Sequence, residues 1–261
     1  PDGVYYMTGT QGNAWQNGTG IELWSSNDLK TWTAHGYIWT FAQATLDKCW
    51  CAQSFPYNGS HGKYQLRVIW APELHYINGT YYIPFSMPGG GTGILKSPPG
   101  QVTGPYHIIN AAAPIAHGHI DPSLFQDTDG TIYYLDKRNI AKMKSDLSGL
   151  AGPLTKTGII DEGVEMIKHN GVYMLASAHF PGLGYYNSEV NNATNIFGPY
   201  TGAYEAVPWA GHGNYFIDAK GQLWCTMFGD NTSAPVYNQP ALVPAKFTPD
   251  NHIRVDLNPR A

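Results

Sequence analysis

Charge is scarce in this chain: Asp, Glu, Lys and Arg make up only 13% of its 261 residues, and no run of Lys or Arg occurs. With 15 basic and 19 acidic residues the net charge is −4, so neither nucleic acid nor a membrane surface is an expected partner. No apolar stretch approaches the roughly 20 residues that a spanning helix needs. Helical periodicity is also hard to find. Thirty Gly and 19 Pro punctuate nearly every segment, which leaves little room for helices longer than two turns. Cysteine is limited to Cys49, Cys51 and Cys225. One disulfide plus a free thiol and three buried thiols both fit, and Cys-Trp-Cys alone supplies too few ligands for zinc.

What the chain has in quantity is apolar and aromatic residues, 43% and 13% of the total. That composition belongs to a folded protein with a sizeable core, and the aromatics suit both β-strands and a surface on which sugar rings stack. The chain opens at Pro1 with neither Met nor a signal peptide, as a mature or cloned fragment does. Five N-x-S/T sequons, at Asn17, Asn58, Asn78, Asn192 and Asn231, favour secretion. Three of the five are Asn-Gly pairs, which tight hairpin turns select without any glycan.

A repeat is written in the turns. Asp2-Gly3, Asn78-Gly79, Asp129-Gly130, Asn170-Gly171 and Lys220-Gly221 are each followed by an aromatic-rich strand: VYYMTGT, TYYIPFS, TIYYLD, VYMLASA and QLWCTMF. Most are hairpin signals flanked by β-branched and aromatic residues. Their spacings of 76, 51, 41 and 50 residues match one propeller blade per turn. The long first interval implies an insertion over about residues 37–68, expected as a long loop holding Cys49 and Cys51. The expected fold is all-β: a five-bladed β-propeller, with residues 1–261 as one domain.

Eight positions before successive turns lie residues with chemistry: Asp121 before Asp129, Glu162 before Asn170, His212 before Lys220, and Trp70, which opens Trp70-Ala71-Pro72-Glu73, before Asn78. In a propeller the innermost strands converge on the axis, so equivalent positions on them can face one pocket. Two carboxylates, an imidazole and an indole would supply a proton donor, a charged partner and a stacking face for glycoside hydrolysis. Each also has a plainer reading. Asp121 before Pro122 could open a turn, Glu162 beside Asp161 could be a solvated pair, and His212 between two glycines could be structural. One offset shared by four repeats favours the functional reading.

WAPELHYINGTYY, HIDPSLFQDTDGTIYYL, DEGVEMIKHNGVYML and GHGNYFIDAKGQLW resemble successive blades of glycoside hydrolase family 43, and IELWSSNDLKTW resembles the outer part of the first blade. The resemblance covers nearly the whole chain. It implies an inverting glycosidase acting on α-L-arabinofuranosides or β-xylosides, with arabinose- or xylose-containing oligo- or polysaccharide as partner. It further implies Glu162 as general acid, Asp121 as the carboxylate that tunes and orients it, and His212 on the axis, near a bound Ca2+ or its waters. No cofactor is required. Trp70, Glu73, His179, His212 and Gln239 are the expected substrate contacts, and oligomeric state is left open.

Three departures bear on this expectation. The family's general base is an Asp on the innermost strand of the first blade, and the offset of eight from Asp2 falls upstream of Pro1. That strand and base are therefore expected ahead of residue 1; the alternative is a carbohydrate-binding pseudoenzyme without the base. Gly163-Val164 stands where many relatives have Gly-Pro, and Gln239-Pro240 where an Arg before Pro is expected. Both leave the sugar open. Family-32-like fructosidases share the architecture, but their Arg-Asp-Pro and Glu-Cys signatures are absent.

Overall fold

From Asn78 onward, each Gly-ended turn joins two neighbouring antiparallel strands in a computed structural model of the chain, which describes residues 3–12, 14–59, 62–180, 186–229 and 239–255. Asp2 of the first turn and the sequon at Asn231 lie outside the described residues. Two turns place both central residues in the left-handed region, Asn78 and Gly79 at φ +50° and +82°, Asn170 and Gly171 at +49° and +77°. Those are the mirror-image turns whose twist suits a two-residue hairpin. The other two form a wider loop. Gly130 N–H donates to Asp127 O and Gly221 N–H to Asp218 O, at 2.9 and 3.0 Å, with the glycine alone left-handed.

The strands form five successive sheets. The first contains β1 (Tyr5–Met7), β2 (Gly20–Ser26) and β3 (Thr33–Thr40). A helix α1 (Phe41–Leu46), a 3-10 turn (Trp50–Ala52) and the hairpin β4 (Phe55–Gly59) with β5 (Gly62–Leu66) follow. The second sheet contains β6 (His75–Ile77), β7 (Thr80–Met87), β8 (Gly91–Lys96) and β9 (His107–Ile108). The third contains β10 (Ser123–Gln126), β11 (Ile132–Asp136), β12 (Asn139–Lys142) and β13 (Thr155–Lys156). The fourth contains β14 (Glu162–His169), β15 (Val172–His179), β16 (Asn187–Ala193) and β17 (Thr201–Val207). In the fifth, β18 (Ala210–Gly211) and β19 (Tyr215–Ile217) both pair with β20 (Leu223–Gly229), and β21 (Pro240–Phe247) and β22 (Ile253–Val255) follow. Five consecutive up-and-down meanders are the repeat of a five-bladed β-propeller, as the turn period implied.

The insertion differs from the long loop expected of it. It holds a helical turn and a hairpin, in which Tyr57 pairs directly across from Tyr64. It lacks a sequence period because it belongs to no blade. Its cysteines form one disulfide, Cys49–Cys51, and Cys225 is a free, buried thiol.

The chain divides into two compact units, Pro1–Tyr134 with Ala141–Pro153, and Leu135–Ile140 with Leu154–Ala261. In the first, Trp39, Phe41, Ile83, Phe85 and Tyr106 are core residues. In the second, Met174, Val190, Val207, Tyr215 and Ile253 are. All eight residues of β7 are buried, as are six consecutive residues of β15. A strand covered on both faces reads as a continuous apolar run, which is why TYYIPFSM and VYMLASA show no alternation. Full burial of one such side chain, Phe85 for example, contributes about 1.5–3 kcal/mol. No described helix is long and apolar enough to cross a membrane.

Candidate functional site

The segment that enters each sheet from the second to the fifth carries a residue in the left-handed region at a matching place: Ala71 at φ +45°, Asp121 at +52°, Gly163 at +59° and His212 at +54°. Each lies seven or eight positions before its turn. A left-handed conformation costs an L-residue about 1–2 kcal/mol, and such residues cluster at functional sites. The offset that singled out Trp70, Asp121, Glu162 and His212 thus marks a recurring backbone kink, with Trp70 and Glu162 one residue ahead of it.

In the first unit, the kink at Ala71 is held from outside its strand. Its N–H donates to Thr10 Oγ1 at 2.9 Å, and Thr8 Oγ1 donates to Pro72 O at 2.9 Å. Trp70 is half-buried and forms an isolated bridge with Ser86. Its indole N–H donates to Ala14 O at 2.9 Å, and its ring meets those of Trp15 and Tyr57 edge-on at 5.2 Å. Ser86 is fully buried and joins this residue to Asp121: its Oγ donates to Trp70 O and accepts the Asp121 N–H, both at 3.3 Å. Asp121 itself is 5% exposed. Glu73, expected at the sugar, lies 3.2 Å from His75 Nε2, both side chains being largely covered. That pairing occupies one of its oxygens.

In the second unit, Glu162 opens β14 and a β-bulge follows it before Glu165. Both of its oxygens are engaged. Tyr186 O–H donates to Oε1, and Lys137 Nζ lies 3.1 Å from Oε2, with the two ion-pair side chains 25% and 32% exposed. Lys137 sits on the β11–β12 turn. Asp136, 1% exposed, closes that turn by accepting Arg138 N–H at 3.2 Å and Asn139 Nδ2–H at 2.8 Å. Neither Lys137 nor Tyr186 was legible in the sequence, since neither shares the offset. Asp161, one residue from Glu162, has different partners: His179 Nδ1 lies 3.2 and 3.3 Å from its two oxygens. Adjacent carboxylates are thereby sorted to separate tasks, as side-chain alternation along a strand requires.

His212 interrupts the first strand of the fifth sheet between β18 and β19. Thr226 N–H donates to Asn214 O at 2.7 Å and Asn214 N–H donates to Thr226 Oγ1 at 2.7 Å, closing the ladder around it. Backbone approaches so closely here that a Cβ on Gly213 would fall 1.7 Å from Thr226 O. The imidazole lies against Gly163, where a Cβ would meet His212 Cγ at 2.9 Å. Glu162 and His212 are therefore brought together through the glycine that follows the acid. The Tyr186 ring lies 6.1 Å from the imidazole. Gln239 is exposed just ahead of β21, its carbonyl accepting Gly229 N–H at 3.4 Å.

Calcium takes six to eight oxygen ligands. Among the described residues one group of three His, Cys, Asp or Glu side chains brings ligand atoms within 4.8 Å of one another: Asp161, His179 and Glu189. His212 is not in it. A calcium near His212 would draw ligands from water, as the resemblance implies, and no chemistry is routed through a metal. What this arrangement can do is hold one partly open carboxyl, Glu162, on a fixed strand between a phenol and an ammonium, with the His212 imidazole packed against the residue that follows it.

Residues 1–253 match the family model described as glycosyl hydrolases family 43. The chain belongs to that family. Among curated relatives, the family 43 chain is 28% identical over 189 residues to a putative β-xylosidase of Xylanibacter ruminicola, covering 69% of this chain and 33% of that protein. It is 29% identical over 183 residues to a β-D-galactofuranosidase of Aspergillus niger, covering 65% and 51%. The matches thus span about a third to a half of those relatives. Among solved structures, an α-L-arabinofuranosidase from Clostridium thermocellum superposes with a TM-score of 0.71 at 21% identity, covering 98% of this chain and 90% of that one. At that identity the likeness concerns the fold alone, and it is the family 43 propeller.

Proposed function

We propose that this chain is a secreted, inverting glycosidase that releases α-L-arabinofuranosyl or β-xylosyl units from plant polysaccharides, with residues 1–261 acting as one catalytic domain. The observation that carries the reading is Glu162: a carboxyl one-quarter exposed, placed at a backbone kink, with a donor on each oxygen and the His212 imidazole packed against the next residue, Gly163. Glu162 is the general acid. It protonates the departing glycosidic oxygen while a base carboxylate activates water on the opposite face of the sugar, about 6.5–9.5 Å away in inverting enzymes. Asp121 serves as the carboxylate that tunes and orients the acid, and His212 contacts the sugar. The names of the relatives, β-xylosidase, β-D-galactofuranosidase and α-L-arabinofuranosidase, support a pentoside or furanoside substrate. Secretion is supported by the Cys49–Cys51 disulfide, a bond of oxidising compartments, and by the exposed sequon residues Asn17, Asn58 and Asn78. No observation favours the pseudoenzyme alternative.

The test is a panel of nitrophenyl α-L-arabinofuranoside, β-D-xyloside and β-D-galactofuranoside, with the first-formed anomer read by proton NMR. Turnover of an arabinofuranoside or xyloside with inverted configuration is expected. A retained anomer overturns the mechanism, turnover of the galactofuranoside alone overturns the sugar, and binding without turnover on all three returns the binder.

A further inference from the structure

If Glu162 is the proton donor, its two oxygens are both taken before any sugar arrives. Tyr186 O–H donates to Oε1 and Lys137 Nζ lies 3.1 Å from Oε2. A carboxyl that delivers a proton must direct one oxygen at the glycosidic oxygen within hydrogen-bond reach, and a donor already on that oxygen competes for the place. The phenol can stay, because its O–H donates as well to the carbonyl oxygen of a neutral carboxyl. The ammonium has less reason to: a hydrogen bond between charged groups is about twice as strong as a neutral one, and that advantage disappears once the carboxyl carries its proton.

Resting on the proposed function above, we propose that Lys137 leaves Glu162 when substrate enters and donates instead to a hydroxyl of the bound sugar. That makes it a substrate-binding residue which selects sugars by the position of that hydroxyl. The surroundings permit the move. Asp136 fixes the turn that carries Lys137, so the backbone stays in place, while the lysine side chain is 32% exposed and has a flexible four-carbon stem. An ammonium has three donors and no acceptor. Once released from Glu162 it needs oxygens, and hydroxyl oxygens are what a sugar brings. The exchange also frees Oε2 for the glycosidic oxygen, so acid delivery and hydroxyl recognition become one event.

The experiment uses the full chain with Lys137→Met and Lys137→Arg. Steady-state constants are measured on the hydrolysed aryl glycoside and on analogues each lacking one hydroxyl. The expected result is that K137M lowers kcat/KM for the parent by about 10- to 100-fold, the worth of one charge-assisted hydrogen bond. For one particular deoxy analogue, wild type and K137M should agree within about 3-fold, while the gap persists for the others, as a coupling cycle requires. K137R should recover part of the loss on the parent. An equal gap on every analogue would mean that Lys137 acts only on Glu162 or the fold, and no gap at all would mean that it touches nothing in the reaction; either overturns the proposal. Should K137M fail to fold, the same series with K137R decides: a gap that closes for one analogue alone supports the proposal and a uniform one removes it. Wild type inactive on every glycoside is a different failure, that of the proposed function itself.

Discussion

Gly163 gives the most direct mechanical handle on the site. At φ +59° an alanine there costs about 1–2 kcal/mol in backbone strain. Its Cβ would also lie 2.9, 3.0 and 3.1 Å from Cγ, Cδ2 and Nδ1 of His212. The ring must retreat by several tenths of an ångström to restore ordinary contact, since the backbone around it is fixed. Gly171 is the matched control: φ is +77°, and a Cβ would meet nothing within 4 Å. Both substitutions should therefore lower Tm by a similar few degrees, at about 2–4 °C per kcal/mol for a chain of this size. Only Gly163→Ala should also lower kcat/KM, by about 10- to 100-fold, because a displacement of about 1 Å in a catalytic constellation costs that order. Thermal melts and steady-state kinetics on the same preparations read both quantities. Wild-type kcat/KM in G163A would place His212 outside the site, and an equal activity loss in G171A would make the effect a general consequence of destabilisation.

Two further outcomes are expected. The Thr31 and Lys30 backbone N–H groups, with Ser26 Oγ, hold the Asp28 carboxyl at about 2, below its ordinary 3.8. A depressed carboxyl contributes stability that is complete above the ordinary value and is lost as pH falls toward the folded one. Asp28→Asn should therefore lower Tm at pH 6 and converge with wild type near pH 2; a constant offset at both pH values would refute the cause. Treatment with a chelator tests the calcium expected near His212: a fall in Tm or turnover would support it, and no change in either would leave His212 as a sugar contact alone.

The propeller was legible because the turn chemistry is local. Asn-Gly needs two left-handed residues and leaves its mark wherever a two-residue hairpin occurs. Five Gly-ended turns, spaced 76, 51, 41 and 50 residues apart, mark the blades, the first interval lengthened by the insertion. The offset of eight has a related physical basis: from the second sheet to the fifth, a left-handed residue lies seven or eight positions ahead of the turn. What the offset could not find were partners from other hairpins. Lys137 comes from the turn beyond β11 and Tyr186 from the segment ahead of β16, and nothing in IYYLDKRN or GYYNSEV distinguishes them from surface residues. Glu73 was read as a sugar contact from its place beside Trp70, and its pairing with His75, two residues on, is set by side-chain directions that spacing alone does not resolve. The cysteines were ambiguous because three residues permit several states. The insertion was misread as loop because its helix and hairpin are each too short to show a period.

The central claim is that Glu162 delivers the proton, and Glu162→Gln tests it on two glycosides of one sugar. The amide keeps the size of the side chain and an oxygen for Tyr186 but carries no acidic proton. With a dinitrophenolate leaving group, which departs without protonation, kcat should fall only slightly. With a simple alkoxide leaving group it should fall by about 10²- to 10⁴-fold, the usual worth of a positioned acid. An equal loss on both substrates, or none on the alkoxide, would contradict the assignment.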